Sequence, residues 1–266
     1  MHRTFPDKFL AAMIAVQPMP GSPKYKGDDS KIVQGALSDL EQYRAAGVDC
    51  IVLENSFDLP YIKPPLPDTA VALMTKIARQ VRADFVGPVG LQMLEAANET
   101  ALKIAVAADL DFIRVEGYVF AHLGGAGLIE GCAGKLLRKR KELGGEHMDV
   151  FADVKKKHCS HALTSDLDIV DVAKQTEFFL ADGLIVTGAR TGEAPDVDDL
   201  TAVKQATRLP VLIGSGMTPE NVAEYIPHAD GFIVGSTFRR NGDFLEMLEP
   251  ERLHNFVRRF RALTTK

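Results

Sequence analysis

Acidic and basic residues follow short apolar runs of the sequence, at positions where they could exchange protons. Glu54 ends the run CIVLE and Asp153 ends VFAD, while Lys157 and His158 come shortly after Asp153. A carboxylate near a lysine or an imidazolium has its pKa lowered, and a lysine removed from water has its own pKa lowered, so either group can serve proton transfer. We therefore predict that these four residues carry acid–base catalysis. A structural role for the two acids, and a solvated run for residues 155–157, are the alternatives.

Two glycine–serine turns near the end of the chain form a candidate anion site. One follows the apolar run VLI and the other follows FIV. Glycine lets the backbone approach an anion closely, and exposed N–H groups at such turns bind phosphate oxygens. The predicted phosphate-binding residues are Gly214, Ser215, Gly216, Gly235 and Ser236. Arg239 and Arg240 follow the second turn and could assist, and the alternative is that the glycines only permit tight turns.

Polar residues at the other strand ends are candidates for binding the rest of a ligand. The predicted substrate-binding residues are Gln17, Asn55, Gln92, Arg114, Glu116, Thr187 and Gly188. Charged residues just past the last apolar residue of a barrel strand project into the barrel mouth, where they converge on one pocket. Arg114 and Glu116 have the same strand parity, so they could instead pair with each other at the top of the barrel.

The segment KHCSH invites a metal-site interpretation through His158, Cys159 and His161. Its spacing matches no standard zinc signature. We therefore predict no metal and no other cofactor, with a divalent metal ion as the alternative. The glycine-rich stretch at 124–127 is not a true G-x-G-x-x-G after a strand, so a flexible lid is favoured over a nucleotide-binding loop.

These residues must be positioned by a strand–helix pattern that runs through the whole chain. Short apolar runs bounded by turns predict buried parallel strands. Eight such runs occur, at 11–16, 49–53, 88–91, 112–115, 149–152, 183–186, 211–213 and 231–234. Segments with helical apolar spacing separate them, at 30–46, 68–83, 97–108, 134–143, 168–181, 198–207, 219–226 and 250–263. Eight such units without a linker predict a single (β/α)8 barrel domain over residues 1–266; a doubly wound sheet with an extra lobe is the alternative.

Two insertions and a set of short turns complete this pattern. Residues 17–29 and 116–133 follow the first and fourth strands, on the barrel face that carries active sites, and we predict that they are lids or walls. Aspartates such as Asp49, Asp182 and Asp230 stand just before strands, on the opposite face. We predict that these aspartates are structural.

Composition and charge narrow the class of protein. Of the 266 residues, 46% are hydrophobic and 25% are charged, as is usual for globular proteins. A net charge of −5 gives no broad basic field, so we predict no nucleic-acid partner. No apolar run approaches the roughly 18 residues of a membrane span. Three cysteines without framework spacing indicate a reducing compartment, and we expect a cytoplasmic protein.

Several segments together resemble the BtpA/SgcQ family of TIM-barrel proteins. They are MPGSPKY at 19–25, GVDCIVLEN at 47–55, DFIRVEG at 111–117, GLIEG at 127–131, VFADVKKKH at 150–158, ADGLIVTGARTG at 181–192, PVLIGSGMTPENV at 210–222 and ADGFIVGSTF at 229–238. The resemblance implies a (β/α)8 barrel and an oligomer, but no single reaction. Some members are linked to photosystem I biogenesis and others to sugar-utilisation gene clusters with phosphotransferase components. The chain departs from the family at Gln92 and Glu116, where asparagine is favoured, and both changes could alter the ligand.

These observations support two functions. The first is an enzyme of lyase, isomerase or glycosyl-transfer type that acts on a sugar or ribosyl phosphate, as a homo-oligomer. A Schiff base through Lys155 or Lys157 is one chemistry open to it. The second is a non-catalytic assembly or stability factor. That function requires exposed contact residues at Tyr25, Tyr118, Phe120 and Leu123.

Overall fold

Eight parallel strands close into a barrel in the computed structural model, which describes residues 5–188 and 190–265. The strands in chain order are β1 (Phe9–Ala15), β2 (Cys50–Glu54), β3 (Val89–Gln92), β4 (Phe112–Val115), β5 (His122–Gly124), β6 (Gly127–Ile129), β7 (Asp149–Asp153), β8 (Gly183–Val186), β9 (Val211–Ile213) and β10 (Gly231–Val234). Around the barrel the order is β1-β10-β9-β8-β7-β4-β3-β2, while β5 and β6 form a separate antiparallel hairpin. This confirms the predicted (β/α)8 barrel.

The helices alternate with the barrel strands, as the sequence predicts. They are α1 (Asp29–Ala46), α2 (Asp68–Asp84), α3 (Asn98–Ala107), α4 (Ala133–Glu142), α5 (Ile169–Phe178), α6 (Val197–Ala206), α7 (Val222–Tyr225) and α8 (Pro250–Thr264). Within the described ranges, no helix is long and apolar enough to cross a membrane.

Two helices differ from the sequence prediction by three residues at one end, and the others by no more than one residue. The helix predicted from Pro219 begins only at Val222, because Thr218 and Asn221 close a turn by binding each other's amides at 2.8 and 3.3 Å. Helix α5 ends at Phe178 rather than Ala181, since Leu180 takes a left-handed backbone with φ of 65°.

The barrel interior is filled by apolar side chains of alternate strand residues. Phe9, Phe112 and Phe151 project inward and belong to one buried cluster. Each of these rings covers a glycine on a neighbouring strand, as at Gly90, where an added Cβ would lie 2.2 Å from the Phe112 ring. Large and small residues thus alternate in layers, which makes the interior a packed core rather than a pore.

Aspartates fasten the strand beginnings at the face opposite the barrel mouth. Asp49 Oδ2 accepts the amide hydrogen of Leu10 at 2.8 Å, and Asp182 and Asp230 accept amides of their neighbouring strands in the same way. Each carboxylate also pairs with a cation from a helix, as Arg261 does with Asp49 at 2.7 Å. This repeated bridge between strand and helix confirms the structural role predicted for these aspartates.

Candidate functional site

A cavity of about 690 Å³ opens at the carboxyl ends of the barrel strands. Its floor is the apolar barrel interior, represented by Met13 and Ile233, and its walls are the loops that follow the strands. Eleven of the predicted site residues line it, namely Glu54, Gln92, Arg114, Asp153, Lys157, His158, Gly214, Ser215, Gly216, Gly235 and Ser236. The mouth of the barrel therefore gathers most of the chemistry that the sequence indicates.

Five predicted substrate-binding residues do not line this cavity. Gln17 is exposed, and Glu116 lies behind the cavity wall with no exposed surface. Asn55 Oδ1 accepts the Leu94 amide at 2.8 Å, which fixes the loop after β3. The Thr187 hydroxyl donates to the Lys155 carbonyl at 3.5 Å, and Gly188 packs against the backbone of residues 193–194. These contacts assign loop-positioning roles to the last three.

The two glycine–serine turns are neighbours, because β9 and β10 pair directly. The Thr237 hydroxyl donates to the Met217 carbonyl at 2.5 Å, which ties the second turn to the first. Within the described residues, the amides of Ser215, Gly216, Gly235 and Ser236 donate to no protein acceptor. Such free amides at the edge of a cavity are suited to an anion.

Glycine is required at both positions of the first turn. Gly216 has φ of 79°, in the left-handed region, and an added Cβ would lie 2.2 Å from the Ala194 amide nitrogen. At Gly214 an added Cβ would lie 2.9 Å from Nη2 of Arg114. The missing side chain thus lets the Arg114 guanidinium approach the backbone of this turn.

The helix component of the predicted anion site is small. Helix α7 has four residues and starts well after the first turn, and the second turn leads only into a three-residue 3-10 helix at Ser236–Phe238. Arg239 is also directed away from the turns, since Nη1 donates to the Glu246 carbonyl at 2.8 Å and Nη2 lies 3.5 Å from Asp39. The exposed amides, rather than a long helix dipole or Arg239, make the turns electropositive.

Arg114 and Asp153 form a buried ion pair in the lining of the cavity. Arg114 Nη2 lies 2.9 Å from Asp153 Oδ1 and Nε lies 3.3 Å from Oδ2, with side-chain exposures of 4% and 1%. The alternative pairing of Arg114 with Glu116 is therefore wrong, because β7 lies next to β4 and brings Asp153 alongside the guanidinium.

Glu116 belongs to a second buried charge cluster. Its carboxylate accepts a hydrogen bond from Gln92 Nε2 at 3.1 Å and makes a close ion pair with Lys156. Burial raises the pKa of Glu116 to about 7, and the nearby Lys156 ammonium only partly offsets this effect. Glu95 joins the cluster, with Oε1 3.7 Å from Lys156 Nζ.

The three consecutive lysines have three different environments. Lys155 Nζ donates to the Leu167 carbonyl at 3.0 Å, away from the cavity. Lys156 and Lys157 both line the cavity, but Lys156 is paired with two carboxylates. In the described part of the chain, Lys157 Nζ has no hydrogen-bond or ion-pair partner. The alternative of a solvated lysine run is therefore wrong, because Lys156 and Lys157 are both largely buried.

Lys157 is the candidate base of the site. Burial lowers the pKa of Lys157, and the positive charges of Arg114 and Lys156 act in the same direction, against the carboxylates of Glu54 and Asp153. Glu54 is half-buried, lines the same cavity, and accepts a hydrogen bond from the Ser56 hydroxyl at 2.7 Å. The cavity thus places an amine of lowered pKa together with the carboxyl group of Glu54.

His158 connects two loops at the rim of the cavity. Its Nε2 accepts the Thr191 amide hydrogen at 3.1 Å, and its backbone is left-handed with φ of 57°. Burial lowers the pKa of His158, with Lys157 and Lys156 contributing. His161 Nε2 instead lies 2.9 Å from the Lys156 carbonyl, and no group of three metal-ligating side chains occurs among the described residues.

Glu95 and Lys156 also line the cavity, but neither was predicted from the sequence. Glu95 lies three residues beyond β3, with a left-handed φ of 54° that turns its carboxylate toward Lys156 and toward Gly124 of the hairpin. Glu95 does not stand at a strand end, which is the signal that identified the other site residues. Lys156 stands between two other lysines, so the sequence does not distinguish it from them. A non-glycine residue with positive φ can be recognised only in the structure.

Comparisons with known proteins agree with this architecture. The family model of the BtpA family matches residues 6–262. An uncharacterised mitochondrial protein of Caenorhabditis elegans is 40% identical over 94% of this chain and 92% of its own length. The photosystem I biogenesis protein BtpA of Synechocystis is 35% identical, with coverage of 93% and 86%.

Solved structures with the same fold have low sequence identity. Thiamine phosphate pyrophosphorylase from Pyrococcus furiosus superposes with a TM-score of 0.59, at 11% identity and 97% coverage of both chains. Phosphoribosyl anthranilate isomerase from Thermus thermophilus gives 0.58, at 15% identity, with 96% of this chain and 99% of that one covered. At such identities the likeness shows the barrel fold alone.

Proposed function

The chain belongs to the BtpA family, and we propose that it is an enzyme that acts on a phosphorylated small molecule by acid–base chemistry at the barrel mouth. The observation that carries the proposal is the pair of adjacent turns whose four amides are free among the described residues. They line the same cavity as Lys157 and Glu54. One end of this cavity is suited to a dianion and another to proton transfer.

The charge next to the turns supports a phosphate rather than a neutral ligand. The Arg114 guanidinium lines the cavity and lies against Gly214. Asp153 holds it there, so the cation is already ordered before a ligand binds. A fixed cation and several amides lose little conformational freedom on binding, which favours affinity for a compact anion.

Lys157 and Glu54 provide the proposed chemistry. Burial and the nearby Arg114 lower the pKa of Lys157, so a larger fraction of its amine is neutral than in an exposed lysine. A neutral amine can accept a proton. Glu54 lines the cavity on β2, so the amine and the carboxyl group approach a ligand from different strands. Gln92 supplies an amide between them in the wall of the same cavity.

Thermal unfolding with inorganic phosphate and sugar phosphates tests the proposal. Phosphate in large excess over its Kd should raise the Tm by several degrees, whereas unphosphorylated sugars should not. Ser236→Asp places a negative charge in the second turn and should abolish the rise. Ser38→Asp, on the exposed face of α1, adds the same charge elsewhere and should retain it. Equal responses in both variants would exclude the two turns as the phosphate site.

A second candidate, a non-catalytic assembly factor, has one observation in its support. Phe178 and Leu180 at the end of α5 are 76% and 68% exposed, which provides apolar surface away from the mouth. Of the contact residues that this function requires, Phe120 and Leu123 are exposed, but Tyr118 is only 1% exposed. Stable capture of a partner protein, together with no response to any phosphate, would favour this candidate.

A further inference from the structure

We propose that Lys157 is a covalent catalyst, whose amine forms an imine with the carbonyl carbon of a phosphorylated aldehyde or ketone held by the two glycine–serine turns. This inference rests on the proposed function, since the turns must bind the phosphate group for the carbonyl to be presented. It goes further by naming the substrate class and by giving Lys157 a bond to the substrate.

Position selects Lys157 among the three lysines. Lys155 is bound to the Leu167 carbonyl outside the cavity, and Lys156 is ion-paired with Glu116 and Glu95. Of the two that line the cavity, Lys156 and Lys157, only Lys157 has no protein partner among the described residues. An amine that is not engaged in the fold is free to attack a ligand.

The surroundings of Lys157 favour the neutral amine that such an attack needs. The side chain is largely buried, and Arg114 is held nearby by Asp153. A second cation near a lysine disfavours the ammonium form, which is one way in which enzymes activate imine-forming lysines. The ion pair of Arg114 with Asp153 therefore has a role in positioning this cation.

The distance between the turns and Lys157 fits an extended ligand. The turns follow β9 and β10, while Lys157 follows β7, with β8 between them. Strands β7 and β9 are thus roughly 10 Å apart, at about 5 Å per neighbouring pair. A phosphate on the turns and a carbonyl carbon several bonds away, as in an open-chain sugar phosphate, can span this distance.

The step balances with groups of the cavity. The Lys157 ammonium first gives one proton to the Glu54 carboxylate. The lone pair of the resulting amine attacks the carbonyl carbon, a C–N bond forms, and the carbonyl π electrons move to oxygen, which takes that proton back from Glu54. The amine nitrogen then loses a proton to the Glu54 carboxylate, and Glu54 passes it to the hydroxyl group, which leaves as water while the nitrogen lone pair forms the C=N bond. The resulting iminium withdraws electrons from the adjacent carbon, where the Glu54 carboxylate can remove a proton.

Borohydride trapping with pyridoxal 5′-phosphate as the probe tests the inference without any assay of turnover. The probe is a phosphorylated aldehyde, borohydride reduces its imine to a stable amine, and mass spectrometry of peptides locates the label. We expect label on Lys157 in excess of Lys155, loss of this label in Lys157→Arg, and its retention in Lys155→Arg. Inorganic phosphate should compete, and pyridoxal without phosphate should label Lys157 much less.

The outcomes separate the two proposals. If phosphate raises the Tm and Ser236→Asp abolishes that rise, while Lys157 is labelled no more than Lys155, the covalent role is overturned and the phosphate site stands. If phosphate has no effect on the Tm, and labelling is the same with pyridoxal and in Ser236→Asp, the phosphate site and the inference that rests on it both fail. The wild-type peptide map decides the first case even if a lysine variant folds poorly.

Discussion

The guanidinium of Arg114 lies between the carboxylate of Asp153, at 2.9 Å, and the backbone of Gly214. One residue on β4 thus connects a strand end on β7 with the first glycine–serine turn after β9. Its charge faces the cavity that also contains Lys157. This relationship orders a cation next to both the proposed phosphate site and the proposed amine.

Removing the Asp153 charge should destabilise the fold. In Asp153→Asn the Arg114 charge stays buried without its carboxylate, so we expect the free energy of unfolding to fall by about 3–5 kcal/mol. Urea denaturation measures this change. Asp166→Asn, at an exposed loop position, is the matched control and should change stability by less than about 0.5 kcal/mol. A similar small change at Asp153 would mean that the ion pair does not constrain Arg114.

Substitution of Lys156 by methionine should lower the stability of the fold, whereas the same substitution of Lys157 should not. Lys156→Met leaves Glu116 and Glu95 without their cation and should lower the free energy of unfolding by about 3–5 kcal/mol. Lys157→Met removes a buried amine without a partner and should leave stability unchanged or raise it by about 1 kcal/mol. Equal losses in urea denaturation would indicate that Lys157 is a structural residue.

Titration of Glu116 should make stability depend on pH. Because its pKa is raised from 4.5 in the unfolded chain to about 7, the stability that it contributes is complete below pH 4.5 and is lost as the pH rises through about 7. The difference in free energy of unfolding between wild type and Glu116→Gln should fall across this range by on the order of 3 kcal/mol. Asp39 and His122, with pKa values of about 6 and 4, also titrate in or near this pH range. Because both groups are present in the wild type and in Glu116→Gln, their contributions cancel in the difference. Parallel profiles would contradict the assignment.

Gly183 should not tolerate a side chain. An added Cβ would lie 2.4 Å from the Phe151 ring inside the barrel, so Gly183→Ala should cost about 1–3 kcal/mol of stability. Gly35→Ala in α1 has open space around the added atom and should instead stabilise the protein by about 0.5–1 kcal/mol. Thermal unfolding of the pair measures both. Stabilisation by Gly183→Ala would show that the interior layer is loosely packed.

The sequence was sufficient for the fold because buried parallel strands are continuous apolar runs. Every barrel strand starts and ends within two residues of its predicted bounds, from β1 at Phe9–Ala15 to β10 at Gly231–Val234. Strand ends also led to the cavity, since parallel strands place their last residues on one face. The expected homo-oligomer and cytoplasmic location stay predictions.

The ion pairing could not be derived in the same way. Neighbours across the barrel join strands that are far apart in sequence, so the partner of Arg114 proved to be Asp153 on β7 rather than Glu116 two residues away. Likewise, three identical lysines in a row do not show which of them faces the cavity. Their different environments result from the path of the loop after β7.

Crystals grown with inorganic phosphate would show whether the two glycine–serine turns bind an anion. We expect a phosphate ion at the two turns, with its oxygens about 2.7–3.2 Å from the amides of Gly216 and Ser236 and with Arg114 alongside. Crystals of Ser236→Asp grown in the same solution should lack that ion. Phosphate bound elsewhere in the cavity, or turns that remain without an anion at saturating phosphate, would show that the turns are not the phosphate site.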